Sequence, residues 1–396
     1  GRMVRKIVQT TGPVLTLRYA YTAAGALKSV TYPDGTVADY VRGNHGRITQ
    51  IGVMRPGAAR EILITAAGYV PYGPTAGWVY GNGRPMTRNL DRNYAVSKIL
   101  GSSADGLSLF LIRDAAGNVS RLSNADQTTI LARYQYDRLN RLIQTQDGPT
   151  GTALETYAYD AIGNRTSVQD SAGTRAYVYP TPATSHRLQS VGGIARGYDA
   201  AGNTTSIGGT AQQFVYNDLG RMSQVKADGV AKMFYAYNGD GQQVRRFNST
   251  RILHSIYAED GRWLGEYGDT GVAHQQVVWL DDLPVGLIQG AGAPSKLLYI
   301  EPDHLGSPRD VIDPTRNDAI WKWDVKSEAF GNSPPNEEPD LDGATYVFDM
   351  RFPGQRFDAA SGLNYNYFRE YDPGSGRYIE SDPLGIDGGV ATYLYG

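Results

Sequence analysis

The side chains able to do chemistry here are carboxylates, tyrosines and five histidines; cysteine is absent. Zero cysteine excludes disulfide staples, thiol nucleophiles and Cys-ligated zinc, and it leaves the redox compartment open. His45, His186, His254, His274 and His304 are scattered, with no i, i+4 pair and no Glu-containing metalloprotease pattern. No metal site and no cofactor is therefore expected. No Gly-x-Ser-x-Gly elbow occurs, and Gly81-Asn82-Gly83 and Gly374-Ser375-Gly376 lack the strand-then-helix setting of a phosphate loop, so both read as hairpin turns. Glu337, Glu338, Asp340 and Asp342 gather carboxylates in "GNSPPNEEPDLDG", residues 331–343, but the prolines leave them little room to converge. That stretch reads as an exposed acidic loop.

The chemistry that recurs is a tyrosine followed by an acid or amide. Tyr136-Asp137, Tyr159-Asp160, Tyr198-Asp199, Tyr216-Asn217 and Tyr237-Asn238 follow one another roughly every twenty residues, with one interval near double. Spread so evenly, these pairs do not converge on a site, and their chemistry is that of a bend. In "YAYDAIGNRTSV" the residues before the bend alternate large and small, which means a strand, and a second alternating run follows Gly-Asn. Asp or Asn accepts a hydrogen bond from its own backbone two residues on, and glycine beside asparagine supplies the left-handed conformation of a tight hairpin.

The elements that follow from this are hairpins. A single hairpin is marginal in water, so successive units must pair into one long antiparallel sheet that twist and bulges curl into a wall. Tyrosines and aliphatic residues would line one face, and threonine, serine, glutamine and arginine the other. The 48 glycines and 28 tyrosines suit many short strands with tight turns. A net charge of −2 gives no general pull toward nucleic acid or acidic membranes. No apolar run is long enough for a membrane-spanning helix. A start at Gly1, mid-pattern, predicts a piece of a longer chain.

These units resemble the YD repeats of the Rhs, or rearrangement hotspot, family. The resemblance sharpens in "YIEPDHLGSPRDVID", residues 299–313, and in "RFPGQRFDAASGLNYNYFREYDPGSGRYIESDPLGIDGG", residues 351–389, which is similar to the Rhs repeat-associated core. It implies an all-β chain: YD hairpins over 1–298 winding into a curved, cocoon-like shell, closed by a core over 299–396. It also implies a C-terminal toxic cargo enclosed by the shell, delivery by a bacterial secretion system such as type VI after a cytoplasmic stage, and a spike or adaptor protein as partner.

In the family the core is linked to self-cleavage that detaches the cargo, attributed to an aspartic-protease-like site. Such a site needs two neighbouring carboxylates sharing a proton. The resemblance assigns this to Asp382 of "SDPLG" and Asp372 of "YDPGSGR", with Arg369 as orienting cation and Glu370 as a weaker candidate. Read without the family, both aspartates are Asp-Pro turn starters. Where the family has Asp-Pro-x-Gly-Leu, this chain has Ile386 after Gly385. The leading expectation is thus an encapsulating shell, the second an autoprocessing aspartic peptidase, and the third a cell-surface adhesion or carbohydrate-contact module.

Overall fold

The computed structural model describes residues 1–9, 11–101, 105–181, 185–290, 295–325, 329–389 and 391–395. The expected all-β fold of consecutive antiparallel hairpins is what the chain adopts. In one unit, Ala153–Tyr159 pairs with Arg165–Asp170, Tyr157 opposite Val168 and Ala158 opposite Ser167. At the bend, Asp160 Oδ1 accepts from the backbone N–H of Ile162 at 3.0 Å and of Asn164 at 2.9 Å. Gly163, with φ of 90°, closes the turn in the left-handed region. In the preceding unit Asn140 takes that place with φ of 60°, asparagine being one of the few L residues that tolerate it. The same anchoring recurs at Asp114, Asp137, Asn217 and Asn238. It recurs also at Asp303, whose Oδ1 accepts from the N–H groups of Leu305 and Ser307. The "DHLGSP" segment is therefore one more copy of the bend, and His304 sits within it.

Beside each of these tyrosines the pairing slips by one residue: between Gln135 and Tyr136, Ala158 and Tyr159, Val215 and Tyr216, and Ala236 and Tyr237. Such a bulge bends the strand and raises its twist. Neighbouring hairpins consequently part at the bend edge. The ladder between Leu142–Asp147 and Ala153–Tyr159 stops at Gln144 opposite Thr156, leaving the carbonyl of Leu142 outside it. The tyrosine closes the gap: Tyr159 Oη donates to Leu142 O at 2.7 Å. Tyr69 does so to Ile48 O, Tyr136 to Val119 O, Tyr216 to Thr204 O and Tyr237 to Met222 O, all at 2.7–2.9 Å. Arginine ties in the opposite direction. Arg141 stands 4.8 Å from the Tyr159 ring centroid and donates to Asp160 O at 2.9 Å, and Arg221 does the same with Tyr237 and Gly241 O.

The chain forms two compact units, and neither is one contiguous stretch. The first comprises Gly1–Phe110, Arg251–Asp324 and Pro335–Phe348. Its N-terminal hairpins pack on the later ones through Tyr80, which stacks on Tyr299 at 4.6 Å, and through Tyr32, whose hydroxyl reaches Val277 O. Strands Trp263–Gly268 and Pro308–Asp313 are buried along their whole length. Trp321 and Trp323 are buried, with Lys322 between them partly exposed. A wholly buried ion pair, Arg84 to Glu301 at 2.7 Å, lies inside this unit. Arg316 draws in two acids of the 331–343 loop, Asp340 at 2.6 Å and Asp342 at 2.7 Å.

The second unit comprises Leu111–Thr250, Val325–Pro334 and Asp349–Gly396. Its cross-strand set Phe214, Val225 and Met233 buries against Leu363 and Ile379. Those two belong to the segment carrying a small four-stranded sheet, Arg356–Asp358, Leu363–Asn366, Arg369–Asp372 and Arg377–Tyr378. Alternation thus resolves as the sequence implies, the apolar face turned to this small sheet and the other, with Thr156 opposite Gln169, exposed.

The bend and its tie predict separable costs. Asp160→Ala removes two backbone acceptor contacts and should cost about 1–2 kcal/mol, while Tyr159→Phe, which orphans one carbonyl, should cost about 1 kcal/mol. Both are checked as lowered urea midpoints with an unchanged far-ultraviolet circular dichroism spectrum.

Candidate functional site

The carboxylates that could act lie on and just after the hairpin formed by Arg369–Asp372 and Arg377–Tyr378. The bend is short: Gly376, with φ of 67°, donates its N–H to Asp372 O at 2.8 Å. Register follows, placing Asp372 opposite Arg377 and Tyr371 opposite Tyr378. Asp382 lies past the end of this pairing, so Asp372 and Asp382 do not occupy facing positions.

Arg369 and Asp382 do come together, Nη2 to Oδ2 at 2.9 Å, both about one-sixth exposed. Asp382 Oδ1 also accepts from the N–H of Leu384 at 2.9 Å, the turn role expected of Asp-Pro. The guanidinium of Arg369 lies 3.8 Å from the Tyr378 ring centroid and donates to Thr392 O. Asp372 is held elsewhere: Arg196, from the strand Ile194–Tyr198, reaches its Oδ2 at 2.8 Å, and Ser375 Oγ donates to the same oxygen at 2.6 Å. Burial alone would raise the Asp372 pKa, but Arg196 and Ser375 together outweigh it and hold the carboxyl below the ordinary aspartate value.

The acid pair that the hairpin builds is made of glutamates. Glu370 and Glu380 have the ten-residue separation that Asp372 and Asp382 have, two residues earlier, and this register brings them together. The Glu370 N–H donates to Glu380 Oε2 at 2.8 Å, and both side chains are buried. Tyr216 Oη meets Glu380 Oε1 at 3.1 Å, and Tyr237 Oη meets Glu370 Oε1 at 3.5 Å. Burial raises both carboxyl pKa values, and the charge of Glu370 pushes Glu380 up further. Both directions favour a pair that holds one proton between two buried carboxyls. Its signal in the sequence is the spacing alone, in "REYDPGSGRYIE".

A family model, Teneurin YD-shell, matches residues 93–388. The chain belongs to the Teneurin YD-shell family. Among curated proteins it is 25% identical over 410 residues to the "Double-stranded DNA deaminase toxin A" of Burkholderia cenocepacia (strain H111), covering 96% of this chain and 26% of that protein. It is 26% identical over 352 residues to "Probable deoxyribonuclease RhsB" of Dickeya dadantii (strain 3937), covering 74% and 24%. The solved complex TcdB2-TccC3-Cdc42 superposes with a TM-score of 0.76 at 20% identity, over 96% of this chain and 21% of that one. This likeness shows the fold. The YD-shell chain spans about a quarter of the length of the curated relatives it matches.

The glutamate pair makes a signed prediction. The unfolded chain releases the Glu380 proton near the ordinary value of 4.5, whereas the fold retains it, so its stabilising contribution is full below that value and is lost as pH rises through the raised one. Asp372 has the opposite sign, contributing above 3.8 and fading as pH falls through its lowered value. Urea midpoints measured from pH 5 to 8.5 should therefore show Glu380→Gln gaining on the native chain as pH rises. The native-minus-variant difference cancels other groups, such as Asp310 at about 7. Arg196→Met, which strands the buried Asp372 carboxylate, should cost about 3–5 kcal/mol by the same measurement.

Proposed function

We propose that this YD-shell chain forms part of a β-walled container, with hairpins over 1–298 and a core over 299–396, that encloses a toxic polypeptide effector and helps deliver it. The observation that carries this is the tied hairpin lattice, which matches the TcdB2-TccC3-Cdc42 complex over 96% of the chain. Two of the relatives that support it carry "toxin" in their names, the deaminase toxin and "Toxin protein Tse5" of Pseudomonas aeruginosa. The cargo is a polypeptide of the same gene, the producing cell is bacterial, and export runs from its cytoplasm through a secretion system with a spike or adaptor protein as partner. The test is protease protection. Expressed with the polypeptide that its gene encodes downstream, the effector should resist digestion until denaturant opens the wall; digestion as fast as that of the isolated effector overturns the reading.

A second activity is favoured by the Arg369–Asp382 ion pair at the Asp-Pro-Leu-Gly bend. In this reading Asp382, oriented by Arg369, activates a water against a peptide carbonyl of the chain's own backbone, and Asp372, held apart by Arg196 and Ser375, would have to leave those partners to share its proton. Intact mass measurement of the downstream-extended chain should reveal two fragments, and Asp382→Asn should leave one. A native extended chain that stays whole rejects the activity without touching the container.

A further inference from the structure

We propose that a cavity of about 450 Å³ in the second unit binds a small aromatic oxyanion, a carboxylate or a phosphate monoester carried on a ring. Arg141, Arg165, Arg377 and His186 line it together with aromatic residues including Tyr177 and Phe330, and no aspartate or glutamate is among the described lining residues. Three guanidiniums converging without an acid is an unusual wall, because each buried cation needs a counter-charge. Arg141 has one in Asp137, at 2.7 Å. Arg377 is held by neutral groups, the Tyr179 hydroxyl at 3.1 Å and the carbonyl of His186. Arg165 is packed on rings, 3.9 Å from the Phe330 centroid and 4.8 Å from that of Tyr157, with the Tyr177 hydroxyl at 3.5 Å.

Cation–π contact offsets part of the desolvation of these two arginines, and an oxyanion would supply the rest through paired N–H donors. The ring of the ligand follows from the walls. Tyrosine and phenylalanine faces suit a flat apolar body, and the volume falls in the range of small-molecule sites. His186 adds no positive charge at neutral pH, since burial and the neighbouring Arg377 push its pKa down; the attraction rests on the arginines. The site uses none of the cleavage residues, and although Arg141 also ties neighbouring hairpins, the arms of the test act on Arg165 and Leu394, so it stands or falls separately from those readings.

Isothermal titration of the full chain decides it, with adenosine monophosphate and N-acetyl-tyrosine as the anions, and adenosine and N-acetyl-tyrosinamide as their uncharged controls. At least one anion should bind about tenfold or more tightly than its control and weaken with salt, and which one does so tells phosphate from carboxylate. Arg165→Gln should lose that preference, and Arg165→Lys should keep part of it. Leu394→Trp, which fills the exposed mouth from a side chain 57% accessible, should block binding even where Arg165→Gln does not fold. Neither anion preferred over its control, or binding unchanged in Arg165→Gln or in Leu394→Trp, overturns the proposal.

Discussion

The hairpin lattice depends on one recurring hydrogen bond, from the hydroxyl of a tyrosine that precedes a bend to the backbone carbonyl that the ladder abandons beside it. An Asp-anchored bend followed by a bulge twists its two strands, and twist forces the next hairpin to diverge at that edge. Divergence would leave a half-buried carbonyl without a donor, at a cost of about 1–3 kcal/mol per unit. Phenylalanine fills the space but cannot donate; a serine can donate but cannot reach. Tyrosine does both, as Tyr69, Tyr136, Tyr159, Tyr216 and Tyr237 do. The bend and the tie are thus one device, since the bend creates the deficit that the tie satisfies.

The second unit applies the same economy to charge. The segment of its small sheet carries four buried or mostly buried acids within twenty-five residues, and each is met by a different neighbour. Asp372 is met by Arg196 from the hairpins, Asp382 by Arg369 from its own segment, and Asp358 by the hydroxyl of Tyr235. Glu380 is met by the Glu370 N–H and the Tyr216 hydroxyl. Three of these contacts, through Arg196, Tyr235 and Tyr216, cross from hairpin to small sheet. The polar groups therefore fix how the sheet sits on an apolar face that would otherwise accept several registers.

Hairpins were legible because their rules are local. Period-two alternation and Asp-x-x-Gly-Asn act within a dozen residues, and Asp160 and Gly163 do what their types imply. "DHLGSP" escaped the repeat pattern because no tyrosine precedes Asp303, although its aspartate makes the same bonds. The site was legible only in part. Arg369 and Asp382 meet, as thirteen residues of one segment permit, but the partner of Asp372 is Arg196, 176 positions away, and no local signal announces it. Glu370 and Glu380 were hidden by a register question. A bend of four residues rather than a longer one decides which carboxylates face each other, and sequence constrains strand identity far better than bend length.

The arginines of the cavity follow from the lattice rule as well. In two units the fourth residue after the anchoring acid or amide is an arginine that reaches forward to the next bend, Arg141 after Asp137 and Arg221 after Asn217. In the unit anchored by Asp160 that place is taken by Asn164, whose amide makes the forward bond itself, to Ser185 O at 3.0 Å. Here an arginine stands one residue later, at position 165, and successive residues of a strand point to opposite faces. A group that elsewhere serves the bend edge is thereby delivered among the rings of Tyr157, Tyr177 and Phe330, on the face the small sheet covers. The lattice tolerates the exchange because asparagine has satisfied the carbonyl, and Arg165, released from that duty, is left as a cation whose surroundings supply faces but no charge.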